Sequence, residues 1–369
     1  MGLQNHRVTL TSPVSDSYRC TRAANSVDLD VQKKSTHDLQ VQGDFDAPFS
    51  VGLIVGASGS GKTTLARQVW GDDALREVLD LSRPVIEQFP DAMTYDDCVA
   101  ALCAIGLSQV PCWIRPACTL SNGQRARAEA ALRMANAGAE LVVIDEWTSV
   151  VDRTVAKAMS HCVQRHARAA GRRIVLLSCH YDVTEWLQPD WVLDCNTATF
   201  ADARGRRQPR TERLQFDIHE CEPATWRFFS KYHYLSERLP GGKILTFGVW
   251  HEGRQIGFQC FANYVPRRRF ERMKLHSNRT VIHPDFVGFG LGGRVINETS
   301  RIVKALDFDV WAKFSSTPVF RAFQKVPNLW ALRDVQRKTS MGGPMMARTA
   351  NVDSFRQNVK WYSFEYVGS

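Results

Sequence analysis

The residues best suited to chemistry begin with a glycine-rich run, GASGSGKT, at positions 56–63. It fits the phosphate-binding pattern G-x-x-x-x-G-K-[ST] in full. Glycines let backbone N–H groups converge on phosphate oxygens, and the N-terminus of the next helix adds the positive end of its dipole. Lys62 is expected to reach the β- and γ-phosphates, and the Thr63 hydroxyl to meet Mg²⁺. The residues of this loop predicted to contact a nucleotide are Gly56, Ser58, Gly59, Gly61, Lys62, Thr63 and Thr64.

Two acidic residues, Asp145 and Glu146, follow the apolar run LVVI at 141–144. Such a run predicts a second buried strand. At the carboxyl end of that strand, Asp145 can hold Mg²⁺ through water, and Glu146 can polarise the attacking water as a general base. Behind a complete phosphate loop, this pattern predicts a nucleotide-hydrolysing site.

Between these motifs lies LSNGQR at 120–125, which resembles the signature peptide L-S-G-G-Q of the ABC ATPase superfamily. Asn122 replaces the third-position glycine, a mild change because asparagine tolerates left-handed backbone geometry. Further marks occur in the family's order. Gln88 resembles the Q-loop glutamine, the SVVD run at 149–152 resembles the D-loop, and His180 resembles the switch histidine.

The resemblance implies that two copies pair head to tail as a homodimer, with each ATP between one copy's phosphate loop and the other copy's signature peptide. Ser121 and Gly123 would then contact the γ-phosphate of the partner's nucleotide. ATP binding would join the dimer, and hydrolysis would release it. The residues that the resemblance adds to the nucleotide site are Gln88, Ser121, Gly123, Gln124 and Asp152. The implied metal-binding residues are Thr63, Gln88 and Asp145, and the implied catalytic residues are Glu146 and His180.

A second glycine-rich turn, VGFGLGG at 287–293, follows the strand-like run TVIHP and precedes a helix predicted over 294–304. A strand, a glycine turn and a helix offer backbone N–H groups to a pyrophosphate. The turn has no lysine and is therefore not a second ATP loop. It resembles the acyl-CoA-binding turn R/Q-x-x-G-x-G/A of the GNAT acyltransferases, although Val287 stands where Arg or Gln is usual. The residues that this resemblance implies for acyl-CoA binding are Gly288, Gly290 and Gly292.

Upstream of this turn, the run KYHYL at 231–235 is similar to the His-Tyr pair of the Mom family, phage enzymes with a GNAT-like fold that modify adenine in DNA. The similarity implies His233 as a general base and Tyr234 as a general acid or a base-stacking ring. In that family an Asp and a Tyr after the next strand complete the site. The nearest places here read SSTPVF at 315–320, which lacks both.

Three functions follow from these resemblances. The first is an ATP-driven enzyme that transfers an acyl-type group to a nucleic-acid base. The second is a GNAT enzyme acting on a small molecule or a protein, with the ATPase as a regulatory dimeriser. The third is a DNA-binding ABC ATPase whose second half is not catalytic. The missing polar partners at 315–320 favour the third, and the glycine turn favours the first two.

Alternating strand-like and helix-like segments must position the nucleotide residues. A buried parallel strand is predicted at 49–56 and a helix at 63–70, which indicates an α/β domain. A run of arginines without hydrophobic periodicity then indicates a linker at 204–213, between an ATPase domain at 1–203 and a GNAT-like domain at 214–369. The predicted fold is an α/β P-loop domain of ABC type followed by a mixed-sheet α+β domain of GNAT type. Strand-like runs of the second domain lie at 244–250, 257–264 and 309–314.

Charge and composition limit the partners. The net charge of +9 permits a polyanion as partner, and the basic run RRRF at 267–270, with Tyr264, Arg272 and Lys274, would suit a nucleic-acid backbone. Nucleic acid, with DNA first, is therefore a predicted partner. The ten cysteines never form C-x-x-C, which favours buried free thiols in a reducing cytosol. The chain has no apolar run long enough for a membrane span, so we expect a cytoplasmic protein.

Overall fold

The structure is a computed structural model. It describes residues 4–11, 15–29, 36–136, 141–205, 215–233, 238–263, 272–287, 289–315, 317–338 and 359–368. The chain divides into two compact units, which comprise 1–94, 104–107 and 112–212 in one and 95–103, 108–111 and 213–369 in the other. Most of the predicted linker at 204–213 lies outside the described residues.

The first unit starts with two antiparallel strands, β1 (Gln4–Thr11) and β2 (Thr36–Gly43), with helix α1 (Tyr18–Asn25) between them in the chain. Val8 of β1 lies opposite Leu39 of β2, and both side chains are buried. They belong to the apolar core of the main sheet. The strand pair is thus anchored by its inward-facing residues.

A five-stranded sheet forms the centre of the first unit. Its strands are β3 (Val51–Val55), β4 (Leu141–Ile144), β5 (Arg173–Ser178), β6 (Trp191–Asp194) and β7 (Thr199–Asp202). Their order is β4-β5-β3-β6-β7, and the first four are parallel. Every residue of β3 is buried, as a central parallel strand covered on both faces requires. The carboxyl ends of β3, β4 and β5 therefore meet at one edge of the sheet.

Helices connect these strands. They are α2 (Lys62–Trp70), α3 (Tyr95–Ala104), α4 (Val110–Trp113), α5 (Asn122–Ala135), α6 (Arg153–Ala170) and α7 (Val183–Leu187). The core of the first unit centres on Trp191, which has no exposed surface and stacks against Phe200 with ring centroids 5.6 Å apart.

The second unit contains one seven-stranded sheet. Its strands are β8 (Asp217–Glu220), β9 (Ile244–His251), β10 (Arg254–Ala262), β11 (Lys274–Ile282), β12 (Asp309–Phe314), β13 (Trp330–Lys338) and β14 (Val359–Tyr366). The order is β8-β9-β10-β11-β12-β14-β13, and β11 with β12 is the parallel pair of this sheet. Besides α3, most of which belongs to this unit, its described α-helices are α8 (Trp226–Phe229), α9 (Leu291–Ala305) and α10 (Thr317–Gln324).

The parallel pair separates part of the way along. β11 pairs with β12 only from Lys274 to Ser277, although β11 continues to Ile282. The pairing of β10 with β11 shifts register between Cys260 and Phe261, which places one extra residue in β11. Such a bulge bends the strand and increases its twist. Among the described residues, no strand pairs with the second half of β11 on the side of β12, and this edge is called the unpaired edge of β11.

The fold class predicted from the sequence is confirmed. The first unit is a mainly parallel α/β sheet with a phosphate loop, and the second is a mixed sheet with α-helices. Helix α9 begins at Leu291, three residues before the predicted start. The reason is that Gly290 takes left-handed geometry (φ +72°) and supplies the N-cap position. Among the described residues, no helix has the length and apolarity to cross a bilayer.

Candidate functional site

The phosphate loop joins the end of β3 to the start of α2. Gly59 and Gly61 have φ angles of +79° and +92°, a left-handed region that glycine enters without strain. The Lys62 side chain is buried, and its Nζ donates to the carbonyl oxygens of Gly56 at 2.7 Å and Ala57 at 2.8 Å. The lysine therefore lies inside the curve of the loop. A bound triphosphate would replace these two carbonyls as its partner.

The two predicted metal-binding motifs meet in space, although 82 positions separate them in the chain. The Thr63 hydroxyl donates to Oδ2 of Asp145 at 2.7 Å, and Oδ1 of Asp145 accepts from the backbone N–H of Glu146 at 2.8 Å. A hydroxyl and a carboxylate are oxygen donors of the kind Mg²⁺ prefers when substrate phosphates and waters complete its shell. Thr63 and Asp145 thus fit a nucleotide-bound magnesium ion. The described residues contain no cluster of three or more His, Cys, Asp or Glu for an all-protein metal site.

Trp147 links the carboxyl ends of β4 and β5. Its backbone N–H donates to the carbonyl of Leu177 at 2.7 Å, and the Ser178 hydroxyl donates to the carbonyl of Trp147 at 3.0 Å. The same Ser178 hydroxyl accepts from the backbone N–H of His180 at 3.1 Å. Glu146 precedes this anchor with a left-handed φ of +52°. These bonds place Glu146 and His180, the two predicted catalytic residues, on adjacent strand ends.

The signature peptide forms the start of α5. The Ser121 hydroxyl accepts from the backbone N–H of Gln124 at 3.4 Å, and the Gln124 side chain accepts from the N–H of Ser121 at 3.1 Å. This reciprocal capping box fixes the helix start. Asn122 is the first residue of the right-handed helix, so left-handed tolerance is not why asparagine fits there. A side chain on Gly123 would come within 3.0 Å of Val151, so glycine permits this close packing.

Two predicted nucleotide ligands have other partners in the structure. The Asp152 carboxylate caps α6 by accepting from the N–H groups of Thr154 and Val155, both at 3.0 Å. Gln88 bonds to the backbone of its own loop: its Oε1 accepts from Asp80 N–H at 2.8 Å, and its Nε2 donates to Arg83 O at 3.0 Å. To reach the metal, Gln88 would have to break these bonds. Its binding role stays a prediction.

The glycine turn predicted to bind acyl-CoA lies at the start of α9, in the second unit. Gly290 caps α9 without any side-chain hydrogen bond, so the first backbone N–H groups of the helix are available to a pyrophosphate. A side chain built at Gly292 would meet no atom within 4 Å, which leaves open space above the helix start. Gly288, the third predicted contact, lies outside the described residues. The unpaired edge of β11 and this helix end fit an extended, phosphate-bearing ligand.

His233 follows α8 and a 3₁₀ turn, and its ring packs edge-on against Trp226 with centroids 5.7 Å apart. Burial, and secondly the positive charge of Arg279, lower the pKa of His233 to about 4. The imidazole is therefore neutral at physiological pH and able to accept a proton. Tyr234, its predicted partner, lies outside the described residues.

Sequence reasoning missed a group of residues at the far end of β11. The Tyr232 hydroxyl lies 3.3 Å from Nε2 of His283, and Nδ1 of His283 lies 3.2 Å from Oδ2 of Asp285. Tyr232 precedes the predicted base His233 in the chain, and 51 positions separate it from His283. The sequence signals this group only by the run HPD at 283–285, at the end of a strand. That run matches no motif with a characteristic residue spacing.

The low histidine pKa values predict acid sensitivity. Burial, followed by Lys157 and Arg165, lowers the pKa of His161 to about 4, as burial does for His233. An unfolded histidine titrates near 6.5, so between about pH 6.5 and 4 the unfolded chain binds more protons than the folded one. We therefore expect the unfolding midpoint in urea to fall as pH drops through this window.

The test is a series of urea unfolding curves between pH 7 and 4.5. His161→Gln should flatten the pH dependence, whereas His219→Gln, at an exposed position, should leave it unchanged. Equal pH dependence in wild type and His161→Gln would contradict the assignment.

Comparisons with known proteins bear on the fold alone. No family model matches this chain, and no curated protein matches it. Among solved structures, a bacterial ABC transporter cassette in dimeric form is 14% identical, covers 46% of this chain and 93% of its own, and has a TM-score of 0.36. A GNAT family acetyltransferase from Elizabethkingia anophelis with acetyl-CoA bound is 11% identical, with 41% and 96% covered and a TM-score of 0.28. The ribosomal-protein-S18-alanine N-acetyltransferase from Escherichia coli is 11% identical, with 42% and 96% covered and a TM-score of 0.30.

Proposed function

We propose that this chain binds and hydrolyses ATP with Mg²⁺ in its first unit and transfers an acyl group from acyl-CoA in its second. The observation that supports the first half best is the 2.7 Å contact between Thr63 and Asp145 beside the buried Lys62. Two motifs that are distant in the chain thereby meet at the carboxyl edge of a parallel sheet. That edge is where ligands bind in open α/β folds.

In the proposed ATPase reaction, Lys62 binds the β- and γ-phosphates, and Thr63 and Asp145 hold Mg²⁺. The ion would neutralise charge on the phosphate oxygens. Glu146 orients the attacking water and accepts its proton, and His180 contacts the γ-phosphate from the neighbouring strand end.

The proposed assembly is a homodimer through the ATP sites. The start of α5 offers backbone N–H groups and the Ser121 hydroxyl to an anion. In the dimer this helix start would face the γ-phosphate bound by the other copy. Each ATP would then contact both copies, and its hydrolysis would separate them.

The metal assignment predicts that Asp145→Asn lowers Mg²⁺-dependent phosphate release from ATP by about 100-fold or more. The substitution removes the charge that holds the ion but keeps the size of the side chain. Asp91→Asn, at an exposed position of the same unit, serves as the matched control and should hydrolyse ATP normally. Undiminished hydrolysis by Asp145→Asn would overturn the assignment.

In the proposed acyl transfer, the acceptor nucleophile attacks the thioester carbonyl and the carbon–sulfur bond breaks. The nucleophile's proton passes to the neutral His233 ring, and coenzyme A leaves as a thiolate that is then protonated. The two observations behind this proposal are the uncapped start of α9 and the unpaired edge of β11. The first would hold the pyrophosphate, and the second would hold the extended arm of the donor.

For the acceptor, a nucleic-acid base is the candidate we propose to test first, because the net charge of +9 permits a polyanionic partner. A small molecule or a protein is the alternative acceptor, and the ATPase would then regulate dimerisation. The basic run at 267–270 lies outside the described residues.

Expression of the chain should produce a new nucleoside in plasmid DNA, detected by mass spectrometry, together with thiol release from acetyl-CoA by the purified protein. His233→Ala should lower both by about 100-fold. His219→Gln provides the matched control at an exposed histidine. Thiol release without a new nucleoside would keep the acyltransferase but reject the nucleic-acid acceptor; neither signal would reject both.

A further inference from the structure

Arg279 is a buried cation in the second unit. Only 6% of the residue is exposed, and it pairs with Cys260 across β10 and β11, just beyond the point where β11 leaves β12. Its Nη1 donates to Oδ1 of Asn278 at 2.8 Å. Its Nη2 has only a long contact, 3.4 Å, with the carbonyl oxygen of Arg238, and its Nε has no partner.

No carboxylate of the described residues forms an ion pair with Arg279, which is unusual for a buried guanidinium. Removing such a charge from water costs several kcal/mol unless an anion compensates for it. Arg133 of the first unit illustrates the normal case: it is 9% exposed and forms an ion pair with Glu129.

The described neighbours of Arg279 add no negative charge. His233 is neutral at physiological pH, and burial raises the pKa of the Cys260 thiol to about 12, with Arg279 opposing the rise. The remaining neighbours in this part of the sheet include the apolar rings of Trp226 and Phe258. The site therefore combines one permanent positive charge with a neutral proton acceptor.

We propose that Arg279 binds a carboxylate or phosphate group of the acyl acceptor and thereby holds the acceptor's nucleophile beside His233. Nε and Nη2 form one edge of the planar guanidinium, and this edge can donate two parallel hydrogen bonds to an anion. The anion would take the place of the distant Arg238 carbonyl. The proposal rests on the proposed acyl transfer and specifies its substrate as an anionic amine or alcohol.

Anion binding can be measured without acyl transfer. The full-length chain carrying Lys62→Ala, which removes the lysine of the phosphate loop, is unfolded by heat in phosphate, in acetate and in chloride at equal ionic strength. Phosphate or acetate should raise the unfolding midpoint over chloride, because a ligand that binds only the folded state stabilises it. The rise should disappear when Arg279→Met is added and persist when Arg321→Gln, at an exposed arginine of α10, is added instead. The same rise with Arg279→Met would overturn the proposal.

The stability of Arg279→Met without anion separates a binding role from a structural one. When a buried charged side chain serves to bind a ligand, an apolar side chain of similar length can replace it with little loss in the free energy of unfolding. We expect an unfolding midpoint in chloride at or above that of the parent. A large drop would show that Arg279 serves to hold the fold, and would contradict the proposal.

Acyl transfer then identifies the source of the anion. Thiol release from acetyl-CoA is compared for O-phosphoethanolamine against ethanolamine and for β-alanine against β-alaninamide. Arg279→Gln should raise KM for the preferred anionic acceptor at least about tenfold, with little effect on its partner that lacks the phosphate or carboxylate. The acid limb of the pH–rate profile should move to higher pH, because loss of the positive neighbour raises the pKa of His233. Equal loss with acceptors that carry the anionic group and acceptors that lack it would refute the anion subsite. Absence of turnover with every acceptor would count against the acyltransferase, while the unfolding experiment still decides on Arg279.

Discussion

Glu146→Gln should leave ATP binding intact while lowering the rate of ATP hydrolysis by about a thousandfold, the range for loss of a general base. The substitution preserves size and hydrogen bonding but cannot accept the proton of the attacking water. It also leaves the contact between Thr63 and Asp145 unchanged, so the metal should still bind. If ATP joins two copies, a stable dimer should accumulate because the bound ATP is not cleaved. Size-exclusion chromatography with ATP and Mg²⁺ would detect this dimer.

Two control variants make this result specific. Glu185→Gln, at an exposed position on α7, should hydrolyse ATP normally and show no trapped dimer. Lys62→Ala should bind no ATP and stay monomeric under the same conditions. If Glu146→Gln also stays monomeric while ATP is bound, the shared nucleotide site is wrong, and the start of α5 has another role.

Trp147→Ala should destabilise the first unit by about 3–5 kcal/mol, the cost of deleting a fully buried aromatic side chain. Trp147 is only 1% exposed, and its indole N–H donates to the Ser160 hydroxyl of α6 at 3.0 Å. The cavity would loosen the link between β4 and β5 that places Glu146 beside His180. A urea unfolding curve and the rate of ATP hydrolysis, measured on the same sample, test both effects.

Trp147→Phe is the graded comparison for this variant. It keeps most of the buried ring and the backbone bonds to β5 but loses the bond to Ser160, so it should cost about 1–2 kcal/mol. The rate of ATP hydrolysis should fall in the same order, from wild type through Trp147→Phe to Trp147→Ala. Full activity in Trp147→Ala under conditions where it remains folded would contradict the positioning role of this side chain.

The phosphate loop shows how much a sequence can determine by itself. Its glycines, lysine and threonine act through backbone geometry within eight consecutive residues, so the motif predicts the local structure without knowledge of the fold. The apolar runs at 49–56 and 141–144 likewise identify buried strands, because a strand covered on both faces must be continuously apolar. The meeting of Thr63 with Asp145 then follows from placing both strand ends at one edge of the sheet.

Side-chain partners over long distances were decided only by the tertiary structure. The sequence offers no spacing that joins Tyr232 to His283, or that places His233 near enough to Arg279 for the guanidinium to lower its pKa. Both relations depend on the packing of α8 and its following turn against the sheet. The hydrogen bonds of the Gln88 side chain to the backbone of its own loop could not be predicted either, because a side-chain amide can bond to any nearby backbone group. Local motifs depend on neighbours along the chain and can therefore be predicted from the sequence. The burial of Arg279 and the lack of an acidic partner for it among the described residues depend on where β11 and β12 separate. That separation is a property of the folded sheet.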